Sequence, residues 1–370
     1  MKYLRMPIEI ESPEEQGYDT IRFNLSESSM RDRKLSELGL GFEDLVLAYG
    51  VHRGAPGLRA LIAGQSDVTE AAVLTTAGAA GALFVIATTL LEKGDHLVVV
   101  RPNYATNIET PRAIGCAIDY VDLKFEDDFR LDVDRLERLV RSDTKLISVT
   151  TPHNPTGISL GEAALRRLIA LAEARGIHLL VDETYREMSF VPKLPVAASL
   201  SSSAISVASM SKSYGIPGIR VGWIVNRDPK LMERFLAAKE QIGICGSIVD
   251  EHIAEAALAQ GPQYLATVAR DLHTALATVE TWLAREPRLE WVKPQGGCVC
   301  FPRIRADAGI DVDVEKFYRV LAAGHATCVG PGHWFEQDKR HMRIGFGWPL
   351  PEELKGGLAA ISASLDAAAQ

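Results

Sequence analysis

Ser209-Met210-Ser211-Lys212 sets a lysine among small hydroxyl residues, and Arg220 follows eight positions later across the run SYGIPGIR. A lysine just past a short strand can form a Schiff base with an aldehyde cofactor. An arginine on the next loop can hold a phosphate through two parallel hydrogen bonds, and serine hydroxyls add donors. Most lysines are solvated surface groups, so this segment gains meaning only beside others.

Three more constellations follow β-rich runs in the same way. Asp182-Glu183-Thr184-Tyr185 comes directly after IHLLV. Parallel strands present ligands at their carboxyl ends, so Asp182 and Tyr185 should face a crevice there. An acid in that place can pair with a protonated ring nitrogen of a cofactor; its plain alternative is a helix N-cap. Thr151-Pro152-His153-Asn154-Pro155-Thr156-Gly157 comes after KLISVT. Two prolines bracket Asn154 and stiffen its loop, so its amide is presented in a fixed direction and can donate to a phenolate oxygen. A turn role alone is the bland reading. Thr75-Thr76-Ala77-Gly78-Ala79-Ala80-Gly81 leads into an apolar helix, and small residues let the N–H groups around Gly78, Ala79 and Ala80 approach an anion. This run fits neither G-x-G-x-x-G nor G-x-x-x-x-G-K-[ST], which counts against nicotinamide and nucleotide chemistry.

The elements that would carry these residues are strands predicted at 73–75, His96–Arg101, 117–123, 145–150, 177–181, 204–208 and Val221–Val225. Helical segments alternate with them, such as 160–175, whose apolar residues recur at three- and four-residue steps and which Gly176 can end. Strand, helix, strand repeated in this way predicts an α/β layer architecture with a mostly parallel sheet. Continuous apolar runs such as HLLV fit a sheet buried on both faces. Residues 231–286 read as helical, and 291–370 as short strands followed by a terminal helix. A chain of 370 residues exceeds the ~250–300 that one core supports, so we expect a large domain over 46–285. A smaller α+β domain would be formed by 1–45 with 286–370.

The net charge of −8 argues against nucleic acid or an acidic membrane surface as partner. The apolar stretch 81–91 is shorter than the roughly 20 residues a membrane helix needs, and the N-terminus has no apolar run of a signal peptide. Five cysteines, at 116, 245, 298, 300 and 328, show no metal spacing and suggest reduced thiols in a cytoplasm. Cys298 and Cys300 flank Val299 and read as residues of a strand rather than as metal ligands.

Taken in order, YGVHRGAPGLR (49–59), AGAAGAL (77–83), RPNY (101–104), HNPTG (153–157), DETY (182–185), SMSK (209–212), IPGIRVGW (216–223) and HMRIGF (341–346) resemble the aspartate-aminotransferase superfamily. These are the class I/II aminotransferases of fold type I, which use pyridoxal 5'-phosphate (PLP), and the resemblance runs from about Asn24 to the C-terminus. It implies that Lys212 holds PLP and shuttles the substrate proton, with Asp182 on the pyridine nitrogen and Asn154 with Tyr185 on O3′. The backbone at Gly78, Ala79 and Ala80, with Ser209, Ser211 and Arg220, would bind the phosphate, and Tyr104 would stack on the ring. Tyr49 would reach the phosphate of a neighbouring subunit, implying a homodimer with shared sites. Arg343 would clamp the substrate α-carboxylate, with Asn154 nearby. The implied reaction is ping-pong transfer of an amino group from an L-amino acid to a 2-oxo acid.

Where many relatives carry a glycine-containing loop over the substrate, this chain has Asn24-Leu25-Ser26-Glu27-Ser28-Ser29. Glu27 there would favour a cationic or amine-bearing side chain; its plain alternative is a solvated loop acid or a helix-cap residue. His153 and Trp334 are further residues near the pocket, read as a loop histidine bonded to backbone and an aromatic plug. The chain also resembles the capreomycidine-synthase-like enzymes, which remodel arginine-type amino acids, so a PLP lyase, cyclase or oxidase stands as the rival. A regulatory module without catalysis would not need both Lys212 and Arg343, and no basic helix-turn-helix extension is present.

Overall fold

A seven-stranded sheet organises the chain. Its strands are β1 (Val73–Ala77), β2 (His96–Arg101), β3 (Ala117–Asp122), β4 (Thr144–Thr150), β5 (His178–Asp182), β6 (Ala204–Ser209) and β7 (Val221–Val225). They lie in the order β1-β7-β6-β5-β4-β2-β3. The computed structural model describes residues 1–306 and 311–369; 307–310 and 370, inside the span read as the smaller domain, lie outside the described residues. Each strand agrees with its prediction to within one residue at either end, except β1, which runs to Ala77.

Five strands, β3-β2-β4-β5-β6, are parallel, as the alternation with helices requires. β7 departs from this rule. Residues 210–220 join it to β6 without a crossover helix, so it returns antiparallel and pairs antiparallel with β1 as well. Alternate strand residues enter different cores, which buries the sheet on both faces. Val98, Ile147 and Leu179 pack with Leu165 and Leu168 of the helix Glu162–Arg175. Leu97, Leu146, Leu180 and Ile205 pack with Leu83 and Ile86 of helix α1 (Gly78–Leu90) and with Phe235. The helix Glu162–Arg175 stops at Gly176, which is left-handed (φ +61°) and donates its N–H to Ala172 O.

A second core joins both ends of the chain. Phe317 and Leu321 of helix Val314–His325 pack with Leu354, Leu358 and Ile361 of helix Pro351–Ala368. Leu272 and Val279 of the long helix Gly261–Leu283 enter the same core. Phe23–Asn24 pairs in parallel with Thr327–Cys328, tying the N-terminal segment to it. Met342–Gly345 pairs with Val299–Cys300 on one side and Gly330–Pro331 on the other. Cys298 and Cys300 are buried thiols of this core, and no cluster of metal-ligating side chains occurs among the described residues. No helix among the described residues is long and apolar enough to cross a membrane.

Candidate active site

The sheet delivers the motifs to one edge. β4 ends at Thr150, β5 at Asp182 and β6 at Ser209, and all three line a cavity of about 660 Å³. Because β7 is antiparallel, its amino end is at that same edge, and this is what brings Arg220 there. Ala79 and Ala80 border the cavity from the start of α1. The far wall is the N-terminal segment, including Glu14 and Tyr18, with residues 26–29 and Arg343.

On the strand side the cavity wall is rich in donors. The first N–H groups of a helix have no partner within it and carry the positive end of its dipole. Gly222 lets β7 lie against this start: a Cβ on Gly222 would stand 2.4 Å from the carbonyl carbon of Gly78 and 2.7 Å from the nitrogen of Ala79. Gly78 itself has φ +70°, and a Cβ there would meet Arg220 Nη2 at 2.7 Å. Arg220 is left-handed (φ +51°) at the end of the turn Pro217–Ile219, and its Nη1 donates to Pro217 O at 2.9 Å. Ser209 and Ser211 complete this edge.

Asp182 is 4% exposed. Its Oδ1 accepts from the N–H (3.1 Å) and hydroxyl (2.6 Å) of Thr184, and its Oδ2 from Asn107 Nδ2 at 3.4 Å. Burial pushes its carboxyl above the ordinary value, against these bonds and the nearby Lys212 charge. Lys212 Nζ donates to Ser28 Oγ at 3.2 Å, and burial lowers its pKa, so more of it is a free amine near neutral pH. Tyr185 donates its hydroxyl to Ser28 O at 3.0 Å. Arg343 donates from Nη1 to Asn154 Oδ1 (3.1 Å) and from Nη2 to Ser26 O (2.6 Å), with its guanidinium 5.0 Å from the Phe335 ring centre. Arg343 is 4% exposed, and its Nε has no hydrogen-bond partner among the described residues. With Oδ1 of Asn154 engaged, the Nδ2 of that amide is left to donate.

Residues 45–361 match the family model for aminotransferases of class I and II. The chain belongs to that family. Capreomycidine synthase of Streptomyces vinaceus is 31% identical over 87% of this chain and 82% of its own length. An arginine–pyruvate transaminase of Pseudomonas aeruginosa is 30% identical over 82% of this chain and 79% of its own. A PLP-dependent aminotransferase from Streptococcus suis superposes with a TM-score of 0.91 at 28% identity, over 100% of both chains. The PLP-dependent cyclase OrfR superposes at 0.88 and 27% identity, over 99% of this chain and 98% of its own.

This aminotransferase-family chain is a PLP-dependent enzyme of fold type I, and its cavity has the chemistry that PLP requires. The helix start with Ser209, Ser211 and Arg220 suits a phosphate dianion. Asp182 is a buried carboxylate with no salt bridge among the described residues, a costly arrangement that a cationic ring nitrogen relieves. The amine of Lys212 lies within the same cavity.

Other expected residues are distributed unevenly. Tyr104 lines the cavity, and burial raises its hydroxyl pKa. Glu27 lines it too. Tyr49 does not: it is 84% exposed on a loop with exposed Val46 and Leu47. His153 is a buried loop staple, with Nε2 at 2.8 Å from Pro102 O and Nδ1 at 2.8 Å from Thr156 Oγ1. Trp334 lines the cavity and donates Nε1 to Glu11 Oε2 at 2.7 Å. The sequence reading missed Asn107, Thr184 and Ser28. Thr184 was findable, since a hydroxyl residue two places after an aspartate often closes a local turn onto it. Asn107 and Ser28 have no local signal, because their partners are distant in sequence.

Proposed function

We propose that the protein transfers the amino group of an L-amino acid to a 2-oxo acid, with Lys212 holding PLP. The observation that carries this reading is the convergence of Lys212 and Arg343 on one cavity. Arg343 takes the substrate carboxylate through its guanidinium N–H donors. Asn154 and Ser26 O hold the guanidinium in place for this. Lys212, freed to act as a base, would take the α-proton and deliver it to the cofactor carbon C4′, within reach because substrate and lysine share the cavity. Asp182 pairs with the ring nitrogen; Asn154 and Tyr185 attend O3′; Tyr104 covers a ring face. The N–H groups at Gly78, Ala79 and Ala80, with Ser209, Ser211 and Arg220, hold the phosphate. PLP, once bound, supplies an electron sink for the α-carbon.

The exposed apolar loop with Val46, Leu47 and Tyr49 supports a homodimer in which Tyr49 reaches the neighbour's phosphate. Five unpaired cysteines support a reducing, cytoplasmic setting.

The likeness to capreomycidine synthase and to the cyclase OrfR favours a second reading, cyclisation or another PLP reaction without transamination. The holoenzyme should be mixed with a panel of L-amino acids, arginine and lysine included, with no 2-oxo acid present. Conversion of the cofactor to its pyridoxamine form with one equivalent of 2-oxo acid supports transamination. Continued turnover without an acceptor overturns it in favour of the second reading.

A further inference from the structure

The N-terminal segment brings a set of acids to the substrate side of the cavity that the transamination reading does not use. Glu14, Glu27 and Asp32 all line it, together with Tyr18. Glu27 Oε1 accepts from the Tyr18 hydroxyl (3.1 Å) and from Asn24 Nδ2 (3.4 Å), so the carboxylate is steered by neutral donors. Tyr18 stacks on Trp348 (ring centres 6.4 Å apart, planes at 18°), and Trp348 Nε1 donates to Asp32 Oδ2 at 2.9 Å. Glu14, Glu27 and Asp32 form no salt bridge among the described residues. Burial and the neighbouring Glu14 push the Glu27 carboxyl upward, and Lys212 and Arg343 only partly oppose this.

The basic side chains of the cavity have other duties. Arg5 pairs with Glu15 at 3.2 Å. Lys212 and Arg220 serve the cofactor, and Arg343 serves a carboxylate. A substrate that brought only a carboxylate and a neutral side chain would leave Glu27 partly desolvated beside Glu14 with no counter-charge, which is unfavourable. Glu27 directly follows Ser26, whose carbonyl anchors Arg343. The two ends of a substrate are therefore read from adjoining residues of one segment.

We propose that Glu27, oriented by Tyr18 and reinforced by Glu14 and Asp32, receives a cationic side chain, so that the substrate is an amino acid bearing a guanidinium or amine. This rests on the reading that Arg343 takes the α-carboxylate. Glu27 Oε2, which accepts no hydrogen bond among the described residues, can accept a guanidinium N–H while Oε1 stays on Tyr18. The aromatic face of Tyr18 adds a favourable surface for the cation.

The test is calorimetric titration of the holoenzyme with n-propylguanidinium and with neutral n-propylurea, for wild type, Glu27→Gln and Arg343→Gln. Neither probe has an amino or carboxyl group that engages Lys212 or Arg343, so failure of the transamination reading leaves this result untouched. The guanidinium should bind at least about tenfold tighter than the urea. Glu27→Gln, nearly isosteric, should bring the two within about twofold, and Arg343→Gln should retain the preference. In steady state, Glu27→Gln should raise KM for arginine and lysine and leave citrulline and norleucine unchanged. Equal binding of the two probes, a preference that survives Glu27→Gln, or a uniform rise in KM for all four amino acids would overturn the proposal.

Discussion

Replacing Gly222 by alanine tests whether the start of α1 holds the cofactor phosphate. The added Cβ would stand 2.4 Å from the carbonyl carbon of Gly78 and 2.7 Å from the nitrogen of Ala79. Carbon atoms pack at about 3.5–4.0 Å, so one backbone must retreat by roughly 1 Å. β7 is fixed by pairing on both sides, with β1 and with β6. The movement therefore falls on α1. An N–H···O bond stretched from about 2.9 to about 3.9 Å is lost. Hydrogen bonds to a charged acceptor contribute about 1.5–3 kcal/mol each, and two are at stake at Ala79 and Ala80. With partial relaxation the loss is about 3 kcal/mol, or roughly 100-fold in PLP affinity. The assay is absorbance titration of the apoenzyme with PLP, with Gly64→Ala as control because a Cβ there meets nothing within 4 Å. Gly64→Ala should bind as wild type does. Wild-type affinity in Gly222→Ala would refute the assignment of the phosphate to this helix start.

Three further outcomes follow from the same structure. Arg343→Gln should raise KM for every amino acid alike, by about 10–100-fold, as measured in steady state; an effect confined to one side-chain class would remove Arg343 from the carboxylate. Lys239 is buried, donating to His52 O at 2.6 Å and to Thr75 Oγ1 at 3.2 Å, and Thr75 in turn donates to buried Glu251 at 2.6 Å. Lys239→Met should therefore cost about 1–3 kcal/mol in urea denaturation, and an unchanged midpoint would contradict the network. Burial holds His153 down to about 4, below the 6.5 of an exposed histidine. Its folded pKa is the lower one, so the unfolded chain binds the proton first. Stability from this residue is complete above about pH 6.5 and falls by about 3 kcal/mol as the pH drops to 4. His153→Gln should flatten that part of the pH–stability curve, and an unaltered slope would show that His153 is not buried neutral.

Most of the sheet was legible because β-branched runs bounded by turn residues have few other solutions. The direction of β7 was not read, because nothing in VGWIV distinguishes parallel from antiparallel; the short link 210–220 decides it. That direction matters, since it is what places Arg220 beside Gly78. The cofactor side of the cavity was readable because its residues sit at or beside strand ends, most of them carboxyl ends, where chain order and topology coincide. The substrate side was less so. Glu27 was singled out from its own loop, but Tyr18 and Asp32 join it only through tertiary packing around Trp348, and Glu14 only through the shared cavity wall. Asn107, which supports Asp182, was invisible for the same reason.

Lys212 as the residue that carries PLP is the central assignment. The holoenzyme should be reduced with borohydride, digested, and its peptides mapped by mass. The expected result is the reduced cofactor on the peptide containing Lys212, with Lys212→Ala left unlabelled and colourless. Label on another lysine such as Lys239, or a Lys212→Ala protein that still fixes the cofactor, would contradict the assignment on which every other role depends.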